Sequence, residues 1–316
     1  MDATEVAVGT AHPTATCCWC QTSLSVAEVY GLRCWVCRVH AQRQLSAALI
    51  TTPKGKKAVC HNVPLPSQVL LDECKARNIL WGGQAGPGKS HGVRWWLYKR
   101  SLSTPGHESL LLRENYEQLD KTHLRKMERE VPLLGGTFWK SDRKAEFGNG
   151  SIIDCGHMAE LDAVSRYLST EYGAIVPDEA SLYPVDTDGT PALVELSTRA
   201  RKEYKDMEGQ TVIPKFVPVT NPGGPSAPWL RDMFVDHQPD YEKFPALLTS
   251  YKPAEWVYLP AKLSDNPYMR EDYASTDLAV LGTTRYKQLA EGDWHAFKGQ
   301  FFEEWQESVH VRSMAA

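Results

Sequence analysis

The sequence has no run of about 18 apolar residues, the length a membrane-crossing helix needs, although 42% of its 316 residues are hydrophobic. Its first stretch, MDATEVAVGTAHPTAT, has neither a basic start nor an apolar centre, so no export signal is expected there and the cytoplasm is the default. Internal repeats and low-complexity tracts are missing, which argues against a solenoid or a disordered scaffold. Excess positive charge is missing too. The formal net charge is −4, which gives no general support for a nucleic-acid partner. What remains is a chain able to bury a sizeable core, expected as one main domain with an appendage.

The charge and the cysteines that are present are unevenly placed. Residues 1–60 hold six basic side chains (Arg33, Arg38, Arg43, Lys54, Lys56, Lys57) against three acidic ones (Asp2, Glu5, Glu28), a local +3 that leaves −7 for the rest. A basic module on an acidic body points mildly to nucleic acid. Of eight cysteines, Cys17, Cys18, Cys20, Cys34 and Cys37 lie within 21 residues, while Cys60, Cys74 and Cys155 are scattered. Cys17-x-x-Cys20 and Cys34-x-x-Cys37 are separated by 13 residues. Each CxxC turn aims two thiolates at one point, and two turns complete the tetrahedron that zinc prefers. Cys18 and His40 are spare or substitute ligands. Reduced thiols packed beside Trp19 and Trp35, or a redox pair, are the other readings. A zinc-ribbon-like module is therefore expected over residues 1–45, with a linker, including TTPKGKK, over 46–60. A unit that small lacks a core without its metal.

From residue 61 the pattern alternates short apolar runs with helical segments, the signature of an α/β parallel sheet. NILW reads as the first clear strand, Lys89 to about Leu102 as a helix, and SLLLRE as a second strand. A charged helix follows through EQLDKTHLRKMERE. KAEFGNGSIIDCG reads as a hairpin, because Asn149-Gly150 favours a type I′ turn. YGAIVPDEAS and KFVPVTNPGG are two further strand-to-loop transitions.

The chemistry concentrates at strand ends. WGGQAGPGKS fits G-x-x-x-x-G-K-S as Gly83, Gly88, Lys89 and Ser90, with Gln84, Ala85, Gly86 and Pro87 between, and it stands between a strand and a helix. That context separates a phosphate-binding loop from a chance match. Its glycines let backbone N–H groups crowd around phosphates, and the helix N-terminus adds a positive dipole end. Lys89 reaches the β- and γ-phosphates of ATP, and the Ser90 hydroxyl ligates Mg²⁺. In YGAIVPDEAS, Asp178 suits Mg²⁺ through its water shell, and Glu179 suits a base that polarises an attacking water. Thr220 and Asn221 end the next strand, where polar groups can sense a γ-phosphate, although TNPGG is also a good turn sequence. Gln68 in PLPSQ offers an amide that can read both a donor and an acceptor on adenine, or can simply be a surface glutamine.

PLPSQ, GGQAGPGKS, FGNGSII, YGAIVPDEAS and VTNPGG occur in that order, followed by LSDNPYM and LAEGDWHAFKGQFFEEW. Together, over roughly residues 60–310, they resemble the ATPase half of a tailed-bacteriophage terminase large subunit, the motor that packages DNA. The resemblance implies a RecA-like, additional-strand P-loop domain over 61–245 and a lid subdomain over 246–316. It implies Walker A at Gly83–Ser90, Walker B at Asp178-Glu179, coupling at Thr220-Asn221 and adenine reading at Gln68. Many members carry an arginine in the Walker A loop where this chain has Gln84. Arg166, 13 residues before Glu179, is the first choice for a finger donated to a neighbouring subunit, with Arg199 and Arg201 as alternatives. Arg125, Lys126, Arg199, Arg201 and Lys202 are candidates for gripping double-stranded DNA, each equally readable as a solvated charge. The nuclease domain that normally follows is not expected in this chain. The implied setting is the cytoplasm of an infected bacterium, with a portal and a small terminase subunit as partners and a homo-oligomeric ring as the active form. The competing expectations are a helicase- or repair-type DNA-dependent ATPase, and a zinc-ribbon DNA-binding adaptor that only binds nucleotide.

Overall fold

The computed structural model describes residues 64–297 together with Leu49–Thr51 and Lys57–Val59. Cys17, Cys18, Cys20, Cys34, Cys37 and His40, and everything from residue 298 onward, lie outside the described residues. Within the stretch expected as a linker, β1 (Leu49–Thr51) and β2 (Lys57–Val59) pair antiparallel.

The main body begins with α1 (Pro66–Glu73), whose proline occupies the first turn, where a missing N–H costs nothing. Then come β3 (Asn78–Gly83), α2 (Lys89–Ser103) and β4 (Glu108–Arg113). The expected charged helix is α3 (Tyr116–Leu119) and α4 (Arg125–Leu133), joined through a π turn at Asp120–Leu124. Three strands follow, β5 (Thr137–Trp139), β6 (Lys144–Glu146) and β7 (Ile152–His157), and then a 3₁₀ turn at Leu161–Tyr167. Next are β8 (Ala174–Pro177), α5 (Ala192–Ser197) and a small ribbon of β9 (Tyr204–Lys205) with β10 (Thr211–Val212). The described chain continues through β11 (Lys215–Phe216), β12 (Val219–Thr220), α6 (Ala227–Phe234), α7 (Leu247–Ser250) and β13 (Trp256–Ala261). Two one-turn helices, α8 (Tyr273–Thr276) and α9 (Thr283–Tyr286), come last.

One sheet organises these elements. β13, β3, β11, β8, β4 and β7 run parallel in that order, and β6 and β5 extend the sheet antiparallel beyond β7. β12 continues along β3 beyond β11, pairing Val219 with Trp81 and Thr220 with Gly82. Alternate residues feed opposite faces. Ile79, Trp81, Leu111 and Val176 pack toward Val93, Leu97, Met127 and Val131 on one side. Leu80, Leu110, Leu112 and Ile175 pack toward Leu193, Leu196, Leu230 and Phe234 on the other. With both faces covered by helices, the strands are near-continuous apolar runs, as buried parallel strands must be.

Two expectations need correction. The hairpin at β6–β7 exists, but its turn is not type I′, which requires positive φ at both central residues. Only Gly150 has it, at φ 84. The Gly150 N–H donates to Phe147 O and the Phe147 N–H to Ser151 O, each at 2.9 Å, which makes a three-residue loop with glycine in the left-handed position. Second, the expected boundary between 245 and 246 does not leave the sheet complete. β13 pairs with β3 along its whole length, from Trp256↔Asn78 to Ala261↔Gly83, so it belongs to the main sheet as its outer strand beside β3.

Candidate active site

The parallel strands deliver their loops to one end of the sheet. There β3 turns through residues 84–88 into α2, and Gly83, Gly86 and Gly88 have φ of 121, 86 and 84, conformations that side chains resist. Lys89, the first residue of α2, is buried and donates to Gln84 O at 2.7 Å and to Asn221 Oδ1. Burial lowers its amine to about 8, against the pull of Glu179 and Asp178. Ser90 donates its hydroxyl to Asp178 Oδ2 at 3.0 Å. The phosphate loop, the acidic pair and the strand end at Asn221 are thus joined through side chains.

Asp178 follows β8 and is 1% exposed. Burial works against its ionisation, but the Arg113 guanidinium and hydrogen bonds from His123 and Ser90 prevail and hold it below the usual carboxylate range. Glu179 stands next in the chain in the left-handed region, at φ 57. Burial, and then the Asp178 charge, push its carboxyl up. Adjacent acids held in opposite directions suit one to metal and the other to proton transfer. Ser90 and Asp178 bring two hard oxygen donors together beside the phosphate loop, a donor set that fits Mg²⁺. Among the described residues no cluster of three or more His, Cys, Asp or Glu side chains forms a metal site of its own.

Thr220 is fully buried at the tip of β12. Its hydroxyl meets Ser181 Oγ at 2.7 Å and accepts the Ser181 N–H at 3.2 Å, which ties β12 to the turn after Glu179. Gln68 is 2% exposed, and its amide is engaged inside the protein. Oε1 accepts the Leu65 N–H at 3.0 Å, and Nε2 donates to Gly88 O at 3.2 Å. Here it braces the phosphate loop, and adenine reading requires those bonds to be exchanged. Gln84 Oε1 accepts the Leu263 N–H at 2.6 Å, and Asn266 Nδ2 donates to Gly86 O at 2.6 Å. The Ala85 N–H donates to Leu289 O at 2.7 Å, so the segment after β13 lies directly on the loop.

The arginine candidates separate. Arg166 is exposed on the 3₁₀ turn. Arg201 pairs with Glu171 at 2.6 Å, Lys202 with Glu108 at 2.9 Å and Arg125 with Asp120 at 2.7 Å, while Arg199 donates to Leu168 O at 3.2 Å. Lys202 meets the first residue of β4, whereas Arg125 and Lys126 follow the helix that reaches Asp178. The DNA-grip candidates therefore sit at opposite ends of the sheet and form no single patch. Two residues of the site were not foreseen. Arg113 closes β4 and donates Nε to Asp178 Oδ2 at 3.1 Å. His123, fully buried in the π turn, places Nε2 2.8 Å from the same oxygen. The only sequence signal for Arg113 is a basic residue ending an apolar strand. His123 left none, because a π turn has no pattern distinct from the helix around it.

This sheet order and this loop define a P-loop NTPase fold of the additional-strand class, because β11 and β12 run between the strand of the phosphate loop and the strand of the paired acids. No family profile matches the sequence, and no curated protein matches it. Solved structures do. The large terminase of a thermophilic bacteriophage, in complex with ADP, superposes with a TM-score of 0.51 at 13% identity, over 73% of this chain and 54% of that one. A second crystal form of the same terminase gives a TM-score of 0.53 at 12% identity, over 73% and 54% of the two chains. The ATPase domain of the large terminase from a Thermus phage gives 0.50 at 13% identity, over 73% of this chain and 94% of that domain. The match spans little more than half of the thermophilic phage's terminase chain, and likeness at these identities establishes the fold. Among the described residues no helix is long and apolar enough to cross a membrane.

Proposed function

We propose that this chain is an ATP-hydrolysing subunit of a viral DNA-packaging motor. The observation that carries the reading is the contact of three strand ends: Lys89 on Gln84 and Asn221, and Ser90 on Asp178. ATP is the substrate, with its phosphates taken by the loop amides and by the Lys89 ammonium. Ser90 and Asp178 would hold Mg²⁺, which neutralises charge on the phosphate oxygens. Glu179, its carboxyl raised by burial, accepts a proton from the attacking water. Asn221, bonded to Lys89, and Thr220, bonded to Ser181, pass the state of the γ-phosphate to β12. Arg166, exposed on its turn, is offered to a neighbouring subunit in a ring. Double-stranded DNA, a portal and a small terminase subunit are the proposed partners, in the cytoplasm of an infected bacterium. A zinc ribbon on Cys17, Cys20, Cys34 and Cys37 completes the reading.

The test is ATP turnover with and without double-stranded DNA, against Glu179→Ala. Loss of the base is expected to cut turnover by ~10²–10⁴-fold. A variant that hydrolyses ATP like the parent would remove the proposed mechanism. Stimulation by DNA should weaken steeply as salt rises, because phosphate contacts release counterions. Indifference to DNA at low salt argues against the packaging assignment.

A further inference from the structure

A cation from outside the phosphate loop and the acidic pair reaches the same end of the sheet. Arg285 lies in α9, in the segment after β13, and is half-buried. Its Nη1 donates to Pro222 O at 3.3 Å and to Gln288 Oε1 at 3.1 Å. Pro222 follows Asn221, whose Oδ1 accepts from Lys89 Nζ. Arg285 therefore holds the backbone one residue along from the group that holds the lysine of the loop. Gln288 is buried and anchored in turn, since its Nε2 donates to Ala296 O at 2.7 Å. The approach is close: a Cβ on Gly223 would lie 2.9 Å from Arg285 Nη1.

The turn that follows α9, Lys287–Glu291, lies on the phosphate loop itself. Leu289 O accepts the Ala85 N–H at 2.7 Å, and a Cβ on Gly292 would lie 3.2 Å from Gln84 N. Residues 285–292 thus bridge the two strand-end loops that meet at Lys89. Among the described residues, Arg285 Nε and Nη2 make no hydrogen bond, and no carboxylate pairs with the guanidinium. Its charge nevertheless reaches the acids. Burial, and then Asp178, push the Glu179 carboxyl up, and Arg113, Lys89 and Arg285 oppose them. A guanidinium with an unused edge, beside Lys89 and without a carboxylate of its own, is suited to an anion that presents several oxygens. The loop carries no arginine to do the same, since Gln84 stands there with its amide on the Leu263 N–H.

We infer that Arg285 is a γ-phosphate-binding residue of its own chain's site, with its unused Nε and Nη2 donating to the γ-phosphate oxygens of bound ATP. The inference rests on the ATPase reading above. In that reaction the water oxygen bonds to the γ-phosphorus and the bond to the β–γ bridging oxygen breaks. ADP leaves with the electron pair, and Glu179 takes the proton from the water. Arg285 exchanges no proton; it stabilises the charge on the γ-oxygens. Arg166, exposed on its turn, is offered to a neighbouring subunit, whereas Arg285 is held by Pro222 and Gln288 beside the Lys89 of its own chain.

The experiment compares Arg285→Gln and Arg285→Lys with the parent in the full chain. It measures the affinities for Mg-ATPγS and Mg-ADP by calorimetry, kcat for Mg-ATP, and the melting temperature. ADP lacks the γ-phosphate, so the two ligands separate a phosphate contact from a merely structural one. The glutamine variant should bind ATPγS about 10–100-fold more weakly, the weight of hydrogen bonds to a charged group. Its ADP affinity should stay within about threefold of the parent, and kcat should fall about 10²–10³-fold. The lysine variant should lie between, since it keeps the charge and loses the fork. ADP affinity that falls in step with ATPγS affinity overturns the inference, because Arg285 would then only brace residues 221–224. ATPγS affinity or kcat within about threefold of the parent overturns it too. If Arg285→Gln does not fold, Arg285→Lys decides alone: weaker ATPγS at unchanged ADP supports the inference, and parental affinity for both ends it. Failure of the ATPase reading is separately visible. In that case the parent does not turn over ATP, or Glu179→Ala does so equally well.

Discussion

Glu179 combines a role with a conformation. It is one of three non-glycine residues at positive φ among the described residues, with Arg143 and His237. A left-handed backbone costs an L-residue roughly 1–2 kcal/mol, and such strain gathers where a side chain must be aimed. Glu179→Gly should therefore be more stable than Glu179→Ala by about 1 kcal/mol, while both are equally inactive. Chemical denaturation of the two variants measures this, and equal stabilities would mean that the backbone there is relaxed. The acidic pair is legible in DEAS. Its strained geometry, and the Arg113 fork beside it, are not, because no local pattern marks which strand end will lie 65 residues away in sequence and 3.1 Å away in space.

Elements carry their own constraints. β3 and β12 approach so closely that a Cβ on Gly82 would lie 2.1 Å from Thr220 O, a backbone atom that cannot swing aside. Gly82→Ala should then cost about 1–3 kcal/mol, the usual range for overpacking, and should disturb the Thr220–Ser181 bond. Gly282→Ala, where an added Cβ meets nothing within 4 Å, is the matched control. Thermal unfolding of the pair tests it, and equal melting temperatures would refute the close approach. Strands with strong apolar runs, NILW and SLLLR, were readable because burial on both faces demands such runs. β13 was not, although WVYLPA is as long as β3 and β4, because nothing in its own residues says which strand it joins. Only its pairing with β3 makes it the outer strand of the main sheet. The turn at 147–151 was misread for a similar reason: Asn-Gly permits two loop geometries, and the bonds of Phe147 select the longer one.

At the scale of the molecule, one sheet end gathers the proposed nucleotide chemistry, and the segment after β13 closes on it through Leu263, Asn266 and Leu289. The proposed zinc ribbon stands apart from this in the sequence and has its own test. Metal analysis of the purified chain should find zinc, and Cys17→Ser and Cys34→Ser should each lose it, since a tetrahedral structural site fails without a thiolate. Unchanged zinc content in both variants would dismiss the ribbon. The phosphate loop, the acidic pair and the α/β class are set by the sequence itself, because each depends on the spacing of neighbours and on which faces are apolar. The order of strands, the membership of β13, and the meeting of Arg113 and His123 on Asp178 belong to the tertiary structure alone. Those contacts join residues 65 and 55 positions apart, and only packing of the helices across a parallel sheet brings such residues to one place.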